Sequence, residues 1–334
     1  MRDSNIDVAK GFAIFLVVMG HVLNFCFYGD NATNSFCYKV IYSFHMPLFM
    51  FLSGMVIKDS CLTLRSVYVD LKKRFRKLVV PMIGIGLVYA YLFDHNYMGF
   101  FNEYNKLGYW YLMSLFSLYI IYRIAFGAIR KLHVDTLNKE ICFWILIYFL
   151  FLCVIKVIPG RLSNAFCLGQ ACRFFPYFAM GYIIGKFKLK DIIFSSNVVF
   201  SCSLVLYLLS IALDKYTNNS LLVYRVYEIL QSTSAILIVT NLIWGTTIEN
   251  RIIKQFEMWG GKSMDIYVFH YFVYSSSLFP CLTCYFQSTS NFVQELVVGI
   301  IYSVIVVYIA VGIGTIVHHS AILDKYLFGN NKNE

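Results

Sequence analysis

The chain has 334 residues, 59% of them hydrophobic and only 14% charged, with 28 Lys and Arg set against 18 Asp and Glu for a formal net charge of +10. A composition so apolar excludes an ordinary soluble globular domain and a disordered chain, and it identifies an integral membrane protein. The positive excess belongs mostly to one membrane face, where anionic headgroups or an anionic cytosolic ligand would meet it, and it implies no nucleic-acid partner.

Runs of about 18 or more mostly apolar residues mark helices able to cross a hydrocarbon layer about 30 Å thick. Ten are read, at 11–29, 38–57, 78–93, 107–126, 140–158, 168–185, 192–213, 221–245, 263–284 and 292–317. Lipid offers the backbone no hydrogen-bond partners, and the short alternating segments of a barrel are missing. The expected fold class is therefore all-α, a polytopic membrane helix bundle with about ten transmembrane helices. Residues 1–320 are expected to form one transmembrane domain and 321–334 a short cytoplasmic tail. The first run is long and no small-residue cleavage pattern follows it, so it reads as a retained helix and not as a signal peptide.

Lys and Arg accumulate in cytoplasmic loops. With the amino terminus inside, 20 of the 28 fall on cytosolic segments, including Lys10 and the run Lys72, Lys73, Arg74, Arg76 and Lys77. The opposite face receives Lys39, Lys106, Lys156, Arg161 and Lys215, while Arg123, Arg173 and Arg225 lie inside spans. Both termini are expected in the cytoplasm, with membrane lipids as partners.

The 10 cysteines lie mostly inside spans, as small buried hydrophobes. Cys281 and Cys284, at the outer end of the ninth span, are the one pair placed for bridging. No metal-ligand spacing, internal repeat or low-complexity stretch occurs. "GGKS" at 260–263 imitates the end of a phosphate-binding loop but has Phe256 where that loop needs glycine, and no strand precedes it. "LSG" at 52–54 lacks the glycine that a nucleophile elbow requires before its serine, which leaves Ser53 as a packing residue. "NAT" at 31–33 and "NNS" at 218–220 match glycan acceptor sites on outer loops.

The stretch "DVAKGFAIFLVVMGH", residues 7–21, raises the functional question. Lys10 and His21 are eleven residues apart, which on an α-helix is about 1,100° of rotation and about 16 Å of rise. They share a face, with Lys10 at the cytosolic interface and His21 near mid-membrane, where an unpartnered polar group is costly. One reading is a core histidine bonded to a neighbouring helix. The other draws on His45 in the second span and His270 in the ninth, at comparable depth, so that three rings can converge in a polar cavity. An imidazole, with an ordinary pKa near 6.5, can accept a proton there at neutral pH.

These residues carry a family resemblance. "DVAKGFAIFLVVMGH" resembles the first-helix signature of the acyltransferase family 3 membrane proteins, a basic residue, ten others, then histidine. "FHMPLFMFLSG" at 44–54 is similar to their second-helix segment and "KKRFRKLVVP" at 72–81 to their basic lead-in to the third. "GYWYLMSL" at 108–115 and "GGKSMDIYVFH" at 260–270 are similar to later landmarks, in the expected order. The resemblance implies an O-acyltransferase of a bacterial inner membrane. It would move an acyl group, often acetyl, from cytosolic acyl-CoA to a hydroxyl of a cell-envelope sugar, glycan or lipid-linked oligosaccharide, with no metal. The first-helix histidine, His21, is implied to be catalytic, either as general base or as the group that carries the acyl.

On this reading Lys10, Lys73, Arg74, Arg76 and Lys77 bind the phosphates of acetyl-CoA or another acyl-CoA through charge-assisted hydrogen bonds. The same cluster would serve equally to anchor the chain to headgroups. In the family the basic pair is often two arginines separated by two residues. Here that spacing gives Lys73 with Arg76, or Arg74 with Lys77, which leaves open which side chains bind. His45, His270, Arg173, Arg225 and Glu228 are candidates for acceptor binding. Arg225 and Glu228, three residues apart, serve equally well as a structural ion pair. Asp265 reads as a cap-region acid, Asp3 and Asp7 as complements to the positive end of the first helix, and Tyr109, Trp110 and Tyr111 as an outer aromatic belt. The rival function is a transporter or flippase using His21, Arg225 and Glu228 as a path, though neither a broken helix nor an inverted repeat is evident. A sensor or scaffold gives buried charge nothing to do.

Overall fold

The computed structural model describes residues 3–29, 32–58, 63–95, 97–213, 221–246, 250–275, 285–286 and 291–330. The Cys281 and Cys284 pair and the glycan acceptors Asn31 and Asn218 lie outside these residues. All regular structure among the described residues is helical. In chain order the α-helices are α1 (Ser4–His21), α2 (Phe36–Met55), α3 (Leu64–Tyr89), α4 (Tyr97–Asn102), α5 (Trp110–Lys131), α6 (Leu137–Val157), α7 (Gly160–Ala165) and α8 (Leu168–Lys186). They continue with α9 (Lys190–Phe194), α10 (Asn197–Leu213), α11 (Leu221–Trp244), α12 (Arg251–Gly261), α13 (Ser263–Ser275), α14 (Phe292–His319) and α15 (Ala321–Phe328). The protein is a helical membrane bundle.

Six helical segments among the described residues are long and apolar enough to cross a membrane: Ser4–Phe27, Leu64–Asp94, Trp110–Lys131, Leu137–Val157, Val223–Trp244 and Phe292–His319. The other four expected spans fall on α2, α8, α10 and α13, of 20, 19, 17 and 13 residues. Local chemistry sets several boundaries. Thr63 caps α3 by accepting from the Ser66 amide at 3.2 Å, and Asn250 caps α12 by accepting from the Ile252 amide at 2.9 Å. The connection between α3 and α5 turns through left-handed backbone at His95 and at Lys106, Leu107 and Gly108.

The chain groups into two compact units, Met1–Leu52 with Lys188–Gly314 and Ser53–Phe187 with Thr315–Glu334. In the first, α1 is sheathed by its neighbours, with 78% of its apolar stretch buried. It lies closest to α12, and the two backbones touch at glycines. A Cβ added to Gly11 would overlap the carbonyl of Phe256, and one added to Gly260 would overlap that of Asp7. Without a hydrophobic drive between helices in lipid, close backbone approach through small residues is how they gain contact. Phe12 and Phe15 pack edge-on against Phe256, and Phe15 stacks on Trp259 at 5.6 Å. Polar ties fix the amino-terminal end of α1: Ser4 Oγ donates to Glu257, and Lys190 Nζ donates to Asp3 Oδ2 at 2.6 Å. At the other end Glu295 on α14 accepts from Tyr28 and, at 2.7 Å, from Ser35.

The second unit packs α3 on α5, and α8 on both α5 and α6. The same device recurs between the end of α2 and α8, where a Cβ on Gly54 would strike the Phe178 carbonyl and one on Gly185 the Met55 carbonyl. Glu140, fully buried on α6, is paired with Lys186 of α8. Ser53 is buried and within 3.3 Å of Tyr111 Oη, in keeping with a packing role. The expected aromatic belt is different in kind. Tyr109 and Tyr111 are buried, and Trp110 stacks on Phe174 at 5.4 Å, because α8 covers the start of α5. Lys106 is also buried, donating to the carbonyl of Phe101 at 2.7 Å, and burial holds its ammonium below its ordinary pKa. The residues after 320 form α15, which lies along α3.

Candidate active site

The first unit brings His21, His45 and His270 together. His21 closes α1 directly after the buried run Ile14–Gly20; the residue is half-buried, with its Nδ1 out of contact with solvent. The chain then widens into a π-helical turn over Val22–Phe27, the kind of local irregularity that recurs at functional sites because it re-aims side chains. The His21 and His270 ring centres are 5.3 Å apart, and His45 lies within electrostatic range of His21.

Hydrogen bonds fix two of the three tautomers. A backbone carbonyl can only accept, so the contact of His270 Nδ1 with Ile266 O at 3.0 Å makes Nδ1 the donor and leaves the lone pair of the neutral ring on Nε2. His45 is tied in the same way, Nδ1 to Ile41 O at 2.7 Å. His21 differs, since its Nε2 meets a hydroxyl, Tyr271 Oη, at 3.0 Å, and a hydroxyl can donate or accept. Two ring nitrogens, His21 Nδ1 and His270 Nε2, are buried with no protein partner. Leaving a buried polar atom unpaired is costly, and here two such atoms sit on rings whose centres are 5.3 Å apart, where they could meet polar atoms of a ligand.

Aromatic rings frame this spot. Phe25 stacks on His21 at 5.5 Å, and Tyr274 sits 6.4 Å from it while donating to Val18 O at 2.9 Å. Tyr42 packs edge-on against His45 at 4.7 Å. Tyr271 and Tyr274 escape notice in the sequence because the chain holds 26 tyrosines. Their spacing of one and four residues from His270 was the available signal, since it puts Tyr274 on the same helical face. Among the described residues no group of three or more His, Cys, Asp or Glu is arranged to hold a metal ion.

The other candidates have separate settings. Lys10 lies on α1, and Arg225 donates to Glu228 at 2.9 Å within α11, both in the first unit. Lys73, Arg74, Arg76 and Lys77 belong to α3, and Arg173 to α8, in the second. Arg74 is held against Asp70 at 3.3 Å and over the Tyr119 ring at 3.6 Å, while Lys73 and Lys77 are exposed. Arg173 lies over the Phe174 ring at 5.7 Å. Asp265 meets Lys262 at 3.6 Å in the first turn of α13, where an acid suits the helix dipole.

Residues 3–315 match the acyltransferase domain that defines the acyltransferase 3 family. The chain is similar to the nodulation protein NolL of Sinorhizobium fredii, with 27% identity over 199 residues, 55% of this chain and 49% of that protein. It is also similar to the nodulation protein NolL of Mesorhizobium japonicum, with 38% identity over 86 residues, 25% of this chain and 22% of that protein. The aligned part thus spans about half the length of the first relative and less of the second. No solved structure matches the chain. With the match running from before the first helix to near the end of α14, this polytopic helical protein belongs to the acyltransferase 3 family.

Proposed function

We propose that the protein transfers an acyl group, acetyl being the simplest case, from acyl-CoA to a hydroxyl of a cell-envelope sugar or polysaccharide, in a bacterial inner membrane. The observation that carries this reading is the buried, unpartnered Nδ1 of His21 beside the unpartnered Nε2 of His270. In the tautomer that donates Nε2–H to Tyr271 Oη, His21 Nδ1 bears a lone pair with no competing partner. That nitrogen takes the proton of the acceptor hydroxyl as the oxygen attacks the thioester carbon. The new C–O ester bond forms, the C–S bond breaks, and the proton passes from His21 to the departing thiolate, so the ring returns to its starting state. His45 and His270, each anchored through Nδ1–H, present fixed acceptor sites for the sugar's other hydroxyls.

Lys10, Lys73, Arg74, Arg76 and Lys77 are assigned to the donor's phosphates. Lys73 and Lys77 act as exposed point charges and Arg74 as a guanidinium already oriented by Asp70 and Tyr119. Arg173, Arg225 and Glu228 are assigned to the acceptor, and the bond between Arg225 and Glu228 leaves 39% of the Arg225 side chain exposed. The test is purified protein in lipid nanodiscs with radiolabelled acetyl-CoA and envelope glycan. We expect labelled ester and stoichiometric free thiol, both lost in His21→Ala. Full-rate transfer by His21→Ala would remove His21 from the reaction.

A further inference from the structure

The matched acyltransferase domain ends at residue 315, yet the chain continues into a helix, α15, that is fastened in two ways. The first is a clip at its own base. Asp324 is buried, and its Oδ1 accepts from His318 Nδ1 at 2.6 Å and from Asn330 Nδ2 at 2.9 Å. One carboxylate oxygen therefore ties the end of α14 to the residues on both sides of α15. Phe328 is buried against the His318 ring at 4.5 Å and closes the same corner.

The second fastening is to α3. Gly84 meets Leu327 so closely that a Cβ there would stand 3.3 Å from Leu327 Cδ2. Gly329 ends α15 in the left-handed conformation, φ +68°, and lies against the backbone of Arg76, where an added Cβ would be 3.1 Å from the Arg76 carbonyl oxygen. Only glycine takes up that φ without strain and also lets two backbones approach this nearly. The contact falls in the middle of the basic segment, between Lys73 and Lys77, and it engages the main chain of Arg76 while leaving Lys73 and Lys77 in solvent.

We propose that α15 is a brace for the basic segment of α3, and that Asp324 and Gly329 are positioning residues for the groups that hold the donor's phosphates. The inference rests on the assignment of Arg76 and its neighbours to the donor. A carboxylate with two charge-assisted or amide donors is a strong local fastening, and the residues it fastens touch none of the reacting atoms. Loosening it should leave the chemical step alone and weaken capture of the acyl-CoA head.

The experiment compares the full-length protein with Asp324→Asn, Asn330→Ala, Gly329→Ala and Arg76→Ala in the labelled-acetyl assay, fitting KM for acetyl-CoA, KM for the glycan and kcat separately. We expect the donor KM to rise about three- to tenfold in Asp324→Asn and Gly329→Ala and in the same direction in Asn330→Ala. Glycan KM and kcat should stay within twofold, and inhibition by free coenzyme A should weaken in parallel with the donor KM. A donor KM unchanged in the three brace variants, with Arg76→Ala raising it, would overturn the brace while leaving the donor assignment standing. A donor KM unchanged in Arg76→Ala as well would overturn both. A uniform loss of kcat and of thermal midpoint with donor KM constant would make α15 a stability element only, which also overturns the proposal.

Discussion

At the scale of single residues, the contact between Tyr271 Oη and His21 Nε2 engages one ring nitrogen and, under the proposed mechanism, leaves Nδ1 for the acceptor hydroxyl. Removing the hydroxyl frees the ring to rotate and to exchange tautomers, without opening a cavity. Tyr271→Phe is expected to lower kcat about tenfold, the worth of one such hydrogen bond at ~1 kcal/mol or a little more, with both KM values little changed. His21→Ala, which removes the proposed base, should cost on the order of 10²- to 10⁴-fold. Steady-state rates for the two variants at matched protein concentration check the ranking, and equal losses would show that the hydroxyl does more than orient the ring. A second residue makes a simpler chemical probe. Burial pushes the Cys167 thiol up to about 12, so its nucleophilic thiolate is scarce at neutral pH. It should stay unlabelled by maleimide at pH 7 while exposed Cys142 reacts in detergent, and mass spectrometry of the labelled peptides reads both. The histidines were legible in the sequence because a polar ring at membrane depth has a cost that demands a reason. The tyrosines were not, since an aromatic residue is cheap anywhere in lipid and its partner is fixed only by tertiary geometry.

At the scale of elements, the glycine crossings make a contrast that hydropathy cannot supply. Gly11, Gly260, Gly54 and Gly185 each stand where a side chain would meet a neighbouring backbone, whereas Gly127 and Gly312 have nothing within 4 Å. Gly11→Val has to push α1 and α12 apart, loosening the Phe12, Phe15, Phe256 and Trp259 cluster, at a cost of about 1–3 kcal/mol or more. Gly127→Ala should be neutral or stabilising by roughly 0.5–1 kcal/mol, because alanine has less chain entropy to lose in a helix. Thermal denaturation in one detergent, followed by loss of the monodisperse peak, tests the pair, and similar midpoints for both variants would contradict close contact at Gly11. The spans themselves were readable as long apolar runs. The short helices α7, α9 and α12 were not, because eleven or fewer residues carry too little periodic signal. Tyr109 and Tyr111 misled for a related reason: their position at a span's edge matches a lipid-facing belt, and only the packing of α8 over them reveals that they are interior.

At the scale of the whole molecule, charge asymmetry remains the strongest organising fact. A formal +10 on a chain that is 14% charged is unremarkable as a total, but the basic residues are not spread evenly along the sequence. Lys72, Lys73, Arg74, Arg76 and Lys77 lie just before the apolar half of α3, and Arg130 and Lys131 close α5. Moving such clusters through a bilayer opposes both desolvation and the membrane potential, so they hold their loops on the side where they are made. The segments around His95 and Asn102, by contrast, carry a single basic residue, Lys106, and it is buried against backbone carbonyls. An orientation with the basic segments in the cytosol therefore predicts a specific reporter pattern. Alkaline phosphatase fused after residue 95 should be active and green fluorescent protein there dark, and the reverse should hold for fusions after residue 131. The arrangement also has a lever. Replacing Lys72, Lys73, Arg74, Arg76 and Lys77 together by glutamine should lower the phosphatase signal after residue 95 by letting a fraction of chains insert the other way, whereas Lys106→Gln should leave it unchanged. A bright green signal after residue 95 in the unaltered protein would invert the orientation, and with it the side from which a cytosolic donor could reach α3.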